Sequence, residues 1–552
     1  MAIKRYVADA DNTITNAYRS NLNTRATGSN TGQADVVEVY SIYGRRSTSS
    51  AELSRVLMQF PVTTISSDRT AGTIPGSGSV SFYLRVFNAE TSKTVPKDMN
   101  IVIHAVSQSW QEGSGLDLEN YEDDTLGNEG SNWMSASNTQ HWIDASNKLL
   151  VGGSYHSSSF SSPHEVFILN QTLTSGLEDL EVDITPIVEQ WIGGTYPNYG
   201  VGISLTASQE AFVSGALGGT VRRYPDWPDP ADPDLIEIYN PSGSTDSYYT
   251  KRLFARGTQY FFKRPVIEAR WNSSTQDDRG DFYYSSSLAP GPDNLNTLYL
   301  FNYIRGKLAN IPQIGSTGSI MVSLFSGSYN DTEPSGSRLE LSVGGGVKKV
   351  GSTSVYTFAT GGYVSTGIYS CSLAITAAST PLKTLYDVWS TGSIVDGNHY
   401  KTRFFTGSIK PTTLYASPYS RGNNRRVVKI KNLRDRYFSE EEARFNVYVR
   451  NKNWSPTIYT VASTEIENTI IPSASFRVYR VLDGLNVIPH GTGSDLQTIL
   501  SYDVSGNYFN LDMSLLEPGY EYGIKLAFYD SQRQSWIEQD QKFLFRVEDY
   551  EY

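Results

Sequence analysis

A single cysteine, Cys371, stands in 552 residues, so neither an internal disulfide framework nor a thiolate zinc site can form. A long chain without cross-links points to synthesis in a reducing cytoplasm. No apolar run approaches the roughly 20 residues that a membrane-spanning helix needs. The opening MAIKRYVADADNTI sets two basic residues before no apolar stretch, which argues against a secretory leader and against membrane insertion. Charged residues make up 19% of the chain and its formal net charge is -11. That balance argues against direct nucleic-acid binding, which needs a basic face. The short basic cluster at 421–426, RGNNRR, fits a solvated loop better than a phosphate site. The six histidines, His104, His141, His156, His164, His399 and His490, form no short metal-binding spacing. No nucleophile elbow, P-loop or dinucleotide fingerprint stands in a strand-to-helix setting. Catalysis has no motif to rest on, and the chain reads as non-enzymatic with no cofactor required.

What is abundant is Tyr (37), Phe (22) and Gly (46). Aromatic side chains suit a pleated, half-buried surface, and glycine supplies its turns, so the expected class is all-β. Apolar residues two apart recur in VVEVY (36–40), VSFYLRVF (80–87), IVIHAV (101–106), IMVSLF (320–325), GIYSCSL (367–373), RFNVYVR (444–450) and YGIKLAF (522–528). His104 and Cys371 fall inside such runs and read as ordinary strand residues. Helix signal is confined to DITPIVEQW (183–191), where Thr185 suits a cap and Pro186 the first turn, and to 302–308, which could equally end a strand. The proline-rich 224–234 reads as a long loop, and the polar run 272–281 as a linker. The expectation is three tandem β-sandwich domains: a jelly-roll-like module over 1–272, an immunoglobulin-like sandwich over 273–411 and a C-terminal, immunoglobulin-like sandwich over 412–552.

Two candidate sites share one loop region. Asp117, Glu119, Glu122, Asp123 and Asp124 offer the oxygen ligands that calcium prefers, without EF-hand order, so a plain acidic loop competes with an ion site. Trp110, Tyr121, Trp133 and Trp142 surround that stretch. Aromatic faces of this kind stack on sugar rings when exposed and fill cores when buried.

Several ordered motifs resemble the DNRLRE-type domain, a carbohydrate-binding-like β-sandwich module. They are ADADNTI (8–14), NTG (30–32), VLMQFPV (56–62), WQEGSG (110–115), VDITP (182–186) with WIGG (191–194), NYGVGI (198–203) and RPVIE (264–268). The segment KRLFAR (251–256) stands where that module usually shows a Ser-Arg-Glu-like element. The start MAIKRYVADADNTITNAYRSNL, with RDRY (434–437), GNYF (506–509) and LEP (516–518), is similar to virion structural proteins of contractile-tailed phages of marine cyanobacteria. The resemblance implies a structural component at the neck, tail or capsid periphery, made in the host cytoplasm and residing in the virion. It implies other virion proteins and further copies of itself as partners. The alternative it implies is an adsorption protein that binds host-surface glycan through the N-terminal domain.

Overall fold

A computed structural model describes residues 2–21, 25–45, 50–92, 95, 97–116, 121, 130–147, 149–156, 167–211, 240–285, 294–328, 331–341, 358–377, 381–391, 402–412, 426–452, 458, 468–531 and 533–549. The loop at 224–234 and residues 421–425 of the basic cluster lie outside them. Strands dominate, and no helix among the described residues is long and apolar enough to cross a membrane. The chain divides into two compact units, Ala2–Asn272 and Ser273–Tyr552.

The first unit runs through β1 (Ile3–Val7), β2 (Ala10–Thr15), β3 (Val36–Arg45), β4 (Ser50–Gln59), α1 (Val62–Thr70), β5 (Ser81–Val86), β6 (Met99–Ala105), β7 (Ile168–Leu173), β8 (Leu180–Asp183), α2 (Thr185–Ile192), β9 (Val201–Leu205), β10 (Tyr248–Phe254) and β11 (Val266–Arg270). One sheet has the order β1-β11-β5-β8 and the other β10-β3-β4-β9-β6-β7, with β2 paired to β4. Alternation places Phe82, Leu84, Ile267 and Ala269 of the smaller sheet in one core with Val39, Val56, Met58, Ile103 and Ile203 of the larger. The smaller sheet also carries a buried charged lattice. Glu268, fully buried, accepts hydrogen bonds from Arg5 at 2.8 Å, Arg270 at 2.7 Å and Arg85 at 3.2 Å. Burial alone would raise its carboxyl, but Arg85, Arg5 and Arg270 hold it well below the usual carboxylate range.

Helix α2 forms where the pattern predicts, with Pro186 in its first turn, but Thr185 does not cap it. Its Oγ1 accepts from the Phe82 N–H at 2.7 Å instead, tying the helix to β5. Helix α1 has no counterpart in the strand pattern. Its sequence, VTTISSDRT, is rich in β-branched and hydroxyl residues that lower helix propensity. Tertiary contacts override that weak preference: Val62 and Ile65 are buried, and Arg69 pairs with Glu189 of α2 at 2.6 Å.

The second unit begins its strands with β12 (Asn296–Phe301), β13 (Tyr303–Ile304), β14 (Lys307–Leu308), β15 (Ile320–Ser326), β16 (Ala359–Ser365), β17 (Ile368–Leu373), β18 (Leu385–Thr391) and β19 (Thr402–Ile409). The order β12-β17-β16-β15-β18-β19 makes one antiparallel path among the described residues, and Leu298, Val322, Leu324, Tyr369, Leu385 and Trp389 share its core. Cys371 is buried in that core, where burial, reinforced by the Asp387 charge, pushes its thiol up to about 12. Residues 302–308 form the β13–β14 hairpin, because Arg305 and Gly306 both take positive φ, 52° and 78°, the backbone of a tight two-residue turn. Beyond 412, a four-stranded sheet and a six-stranded sheet share an aromatic core. Phe509 stacks between Phe476 and Phe445 with ring centroids 4.1 and 5.1 Å away.

Within the polar run 272–281 the division between the two units falls after Asn272, and beyond it Asp277 and Arg279 are buried. A 3-10 helix, Asp278–Gly280, places the Arg279 guanidinium between Asp277, at 2.5 Å, and Asp387 of β18, at 2.5 Å, with a third bond to the Tyr299 carbonyl of β12 at 2.6 Å. Asp278 accepts from the Thr297 N–H of β12 at 2.5 Å and from the Tyr502 hydroxyl at 2.7 Å. The run thus covers edge strand β12 and ties it to the strand Ser501–Asp503 of the C-terminal sheets. Replacing Arg279 by Met leaves Asp277 and Asp387 buried without their cation. The expected loss is ~3–5 kcal/mol of unfolding free energy, read as a lower urea midpoint in the intact chain.

Candidate functional site

A buried polar cluster of the first unit is built on β2. Asp11, Asn12 and Thr13 are all fully buried there, because the loops carrying Asn30, Glu112 and Ser131 close over the strand. Asn30 is the centre of this packing. Its amide donates to the carbonyls of Glu112 at 2.7 Å and Ser131 at 2.8 Å, and its Oδ1 accepts from the Gly115 N–H at 2.9 Å and the Gly32 N–H at 3.2 Å. A side chain at Gly115 would meet the Asn30 carbonyl at 1.8 Å, and Gly113 takes a positive φ of 88° against the Asn30 amide. The glycines of WQEGSG are therefore demanded by backbone approach.

Strand β10 and the turn after it supply the cations. The Arg256 guanidinium grips Glu112 through two bonds, at 2.9 and 2.6 Å. The Arg256 N–H also donates to Asp11 Oδ2. Asp11 Oδ1 has no hydrogen-bond partner among the described residues. Burial, with the Glu112 charge adding to it, pushes the Asp11 carboxyl up to about 7, against the downward pull of the Arg256 N–H and charge. Arg252 pairs with Glu38, and the ammonium of Lys251 is buried on Asn88 Oδ1 at 2.6 Å and the carbonyls of Glu178 and Gly176 at 2.6 and 2.9 Å. Burial lowers Lys251 to about 8 despite the neighbouring Asp179 and Glu178. Each cation of KRLFAR is thus committed to an internal partner.

Of the two readings open for the aromatic candidates, sugar stacking or core packing, three residues take the second. Trp110, Trp133 and Trp142 are buried at 8%, 1% and 0% exposure in a second core with Ile14, Leu57 and Val106. Trp110 donates to the Tyr199 carbonyl at 2.8 Å and Trp142 to the Asn132 carbonyl at 2.9 Å. A ring sealed on both faces cannot stack on a ligand, so these three are corrected to core residues. Tyr121 is half-buried and points its hydroxyl at Glu38, 3.4 Å away. Asp117, Glu119, Glu122, Asp123 and Asp124 lie outside the described residues. Asn30, Glu112 and Arg256 were not singled out by type or spacing. Their only signal is that NTG, WQEGSG and KRLFAR each combine glycine or arginine with polar residues in a β context.

No family model matches the chain, and no curated protein matches it. Among solved structures, it aligns with trypsin-activated alpha-2-macroglobulin from Escherichia coli at 9% identity and a TM-score of 0.14, over 55% of this chain and 19% of that one. Salmonella alpha-2-macroglobulin reacted with methylamine aligns at 7% identity and a TM-score of 0.14, over 55% and 18%. The chain spans less than a fifth of either length, and likeness at this level carries no functional weight.

Two outcomes are expected. Asn30→Asp turns two donors into acceptors facing the Glu112 and Ser131 carbonyls, and lowers unfolding free energy by about 2–4 kcal/mol in denaturant titration. For Asp11, the folded carboxyl holds its proton up to about pH 7, whereas in the unfolded chain it is lost near pH 4. Its contribution to stability is therefore present in acid and falls as pH rises from about 4 to 7. Asp11→Asn removes the charge, so its melting temperature should gain on the wild type between pH 5 and pH 8. A constant gap would rule this out.

Proposed function

We propose that the chain is a non-enzymatic structural component of a tailed-phage virion, seated at the neck, tail or capsid periphery and acting through protein–protein contacts. One observation carries this: among the described residues of the first unit, a set of charged groups is committed to internal partners. Arg256 holds Glu112, Arg252 holds Glu38, Lys251 is sealed on three acceptors, and Glu268 sits among three arginines. Such pairs fix loops and sheets in place. The motifs at the chain start and at 434–437, 506–509 and 516–518 support the virion assignment by resemblance. The second unit offers exposed apolar side chains of the kind that protein contacts use, such as Tyr303 and Leu482.

The rival, glycan adsorption through the first unit, loses the three indole faces on which it leaned. Calcium remains tied to the acidic stretch 117–124. To test the assignment, particles encoding this chain are washed in high salt, examined by quantitative mass spectrometry and labelled with gold-conjugated antibody. A fixed copy number with label at the neck, tail or head periphery is expected. Absence from washed particles would sink the virion assignment, and label at distal fibres that host polysaccharide displaces would transfer it to adsorption.

A further inference from the structure

The chain carries net charge -11, yet residues 294–328 and 358–377 contain no Asp or Glu. Within that acid-free stretch the β13–β14 hairpin exposes Tyr303 (60%), Ile304 (47%) and Leu308 (37%), together with Arg305 of its turn and Lys307 of β14. The patch continues onto β16, where Val364 is 50% exposed. The turn after β16 meets the hairpin base, with the Asn302 N–H donating to the Gly367 carbonyl at 2.7 Å. Apolar side chains left in water beside two cations make a surface fitted to an acidic, apolar partner.

This chain carries such a partner surface. The turn after strand Ala474–Arg480 exposes Leu482 (77%) and Val481 (39%). Three carboxylates rim it: Asp483, Glu517 and Glu521, the last brought alongside by the Val481 N–H donating to the Glu521 carbonyl at 2.9 Å. Of the nearby cations, Arg480 is buried and committed to Asp483 and Glu517, and Arg546 stands opposite Glu521. We infer that copies of this chain associate head to tail, the β13–β14 hairpin of one copy seating on the Val481–Leu482 turn of the next. Two such cationic hairpins would repel each other across a two-fold axis, so a hairpin-to-hairpin dimer is disfavoured. A head-to-tail contact instead generates a ring or a filament, depending on whether its rotation closes. The inference deepens the assembly role proposed above and rests on it.

Sedimentation velocity of the full-length chain tests it. Wild type should grow in mass with concentration, less so at high salt because charge pairs at an exposed rim are screened. Tyr303→Asp blocks the hairpin and Leu482→Asp blocks the turn, and each variant alone should sediment as a monomer. An equimolar mixture should form dimers and nothing larger, since only one productive contact remains between them. The pair Arg305→Glu with Lys307→Glu should weaken assembly without touching the apolar contact. Unchanged circular dichroism and melting temperature certify each variant as folded, and all four mutated positions are solvent-exposed. Wild type that stays monomeric at every concentration, single variants that still assemble, or a mixture that stays monomeric would each overturn the inference. A monomeric chain still found in washed particles overturns only the head-to-tail contact. An assembling chain absent from particles overturns only the virion assignment.

Discussion

Arginine–carboxylate pairs withdrawn from water are the constraint on which this fold turns. A buried carboxylate costs several kcal/mol in lost hydration, and the planar guanidinium fork is the side chain best shaped to offset it. Three of these junctions close long loops in the chain. Arg256 and Glu112 are 144 residues apart, Arg5 and Glu268 are 263, and Arg279 and Asp387 are 108. The pairs therefore lock strands that sequence proximity would leave independent: β1 to β11, the turn after β10 to the loop before the acidic stretch, and the run before β12 to β18. For Glu268 and Asp387, whose side chains are fully buried, removing the arginine partner is far more damaging than an exposed ion pair would suggest, because the carboxylate stays behind without solvent.

Asn30 solves the same problem with neutral groups. Four backbone groups from three loops converge on one amide, and glycine at 32 and 115 lets the main chain come close enough to reach it. With the loops so drawn in, the tryptophans that follow have no route to the surface. The N–H groups of Trp110 and Trp142 find backbone carbonyls, and all three rings fill a second core beside β2 and β4. Aromatic content that could serve ligand stacking serves loop anchoring instead. Among the outward apolar side chains of the described residues, those of the β13–β14 hairpin and of the Val481–Leu482 turn stand on short backbone excursions. Such turns are where assembly contacts can be added without disturbing the sandwiches.

Much of the strand content was legible because side-chain alternation is a local property: VSFYLRVF and YGIKLAF carry their own inward and outward faces. The pattern was silent where local preference and tertiary environment disagree. Helix α1 is written in strand-favouring residues and exists because Val62 and Ile65 are buried and Arg69 meets Glu189. The segment 277–279 has the composition of a linker and is tied down by Asp387, Tyr299 and Tyr502, which lie 20 to more than 200 residues away in sequence. For the candidate site, the motifs were visible but their centre was not, since nothing about a lone asparagine in NTG marks it as a four-bond hub.

The sequence by itself determined the all-β class, the absence of disulfides and the positions of most strands, because composition, cysteine count and period-two alternation act residue by residue. Only the tertiary structure decided which polar residues are spent on one another, that Trp110, Trp133 and Trp142 face inward, and that Asp11 holds a proton near neutrality. Those outcomes depend on desolvation and on partners brought together from ten to more than two hundred residues apart, and neither leaves a local trace in the chain.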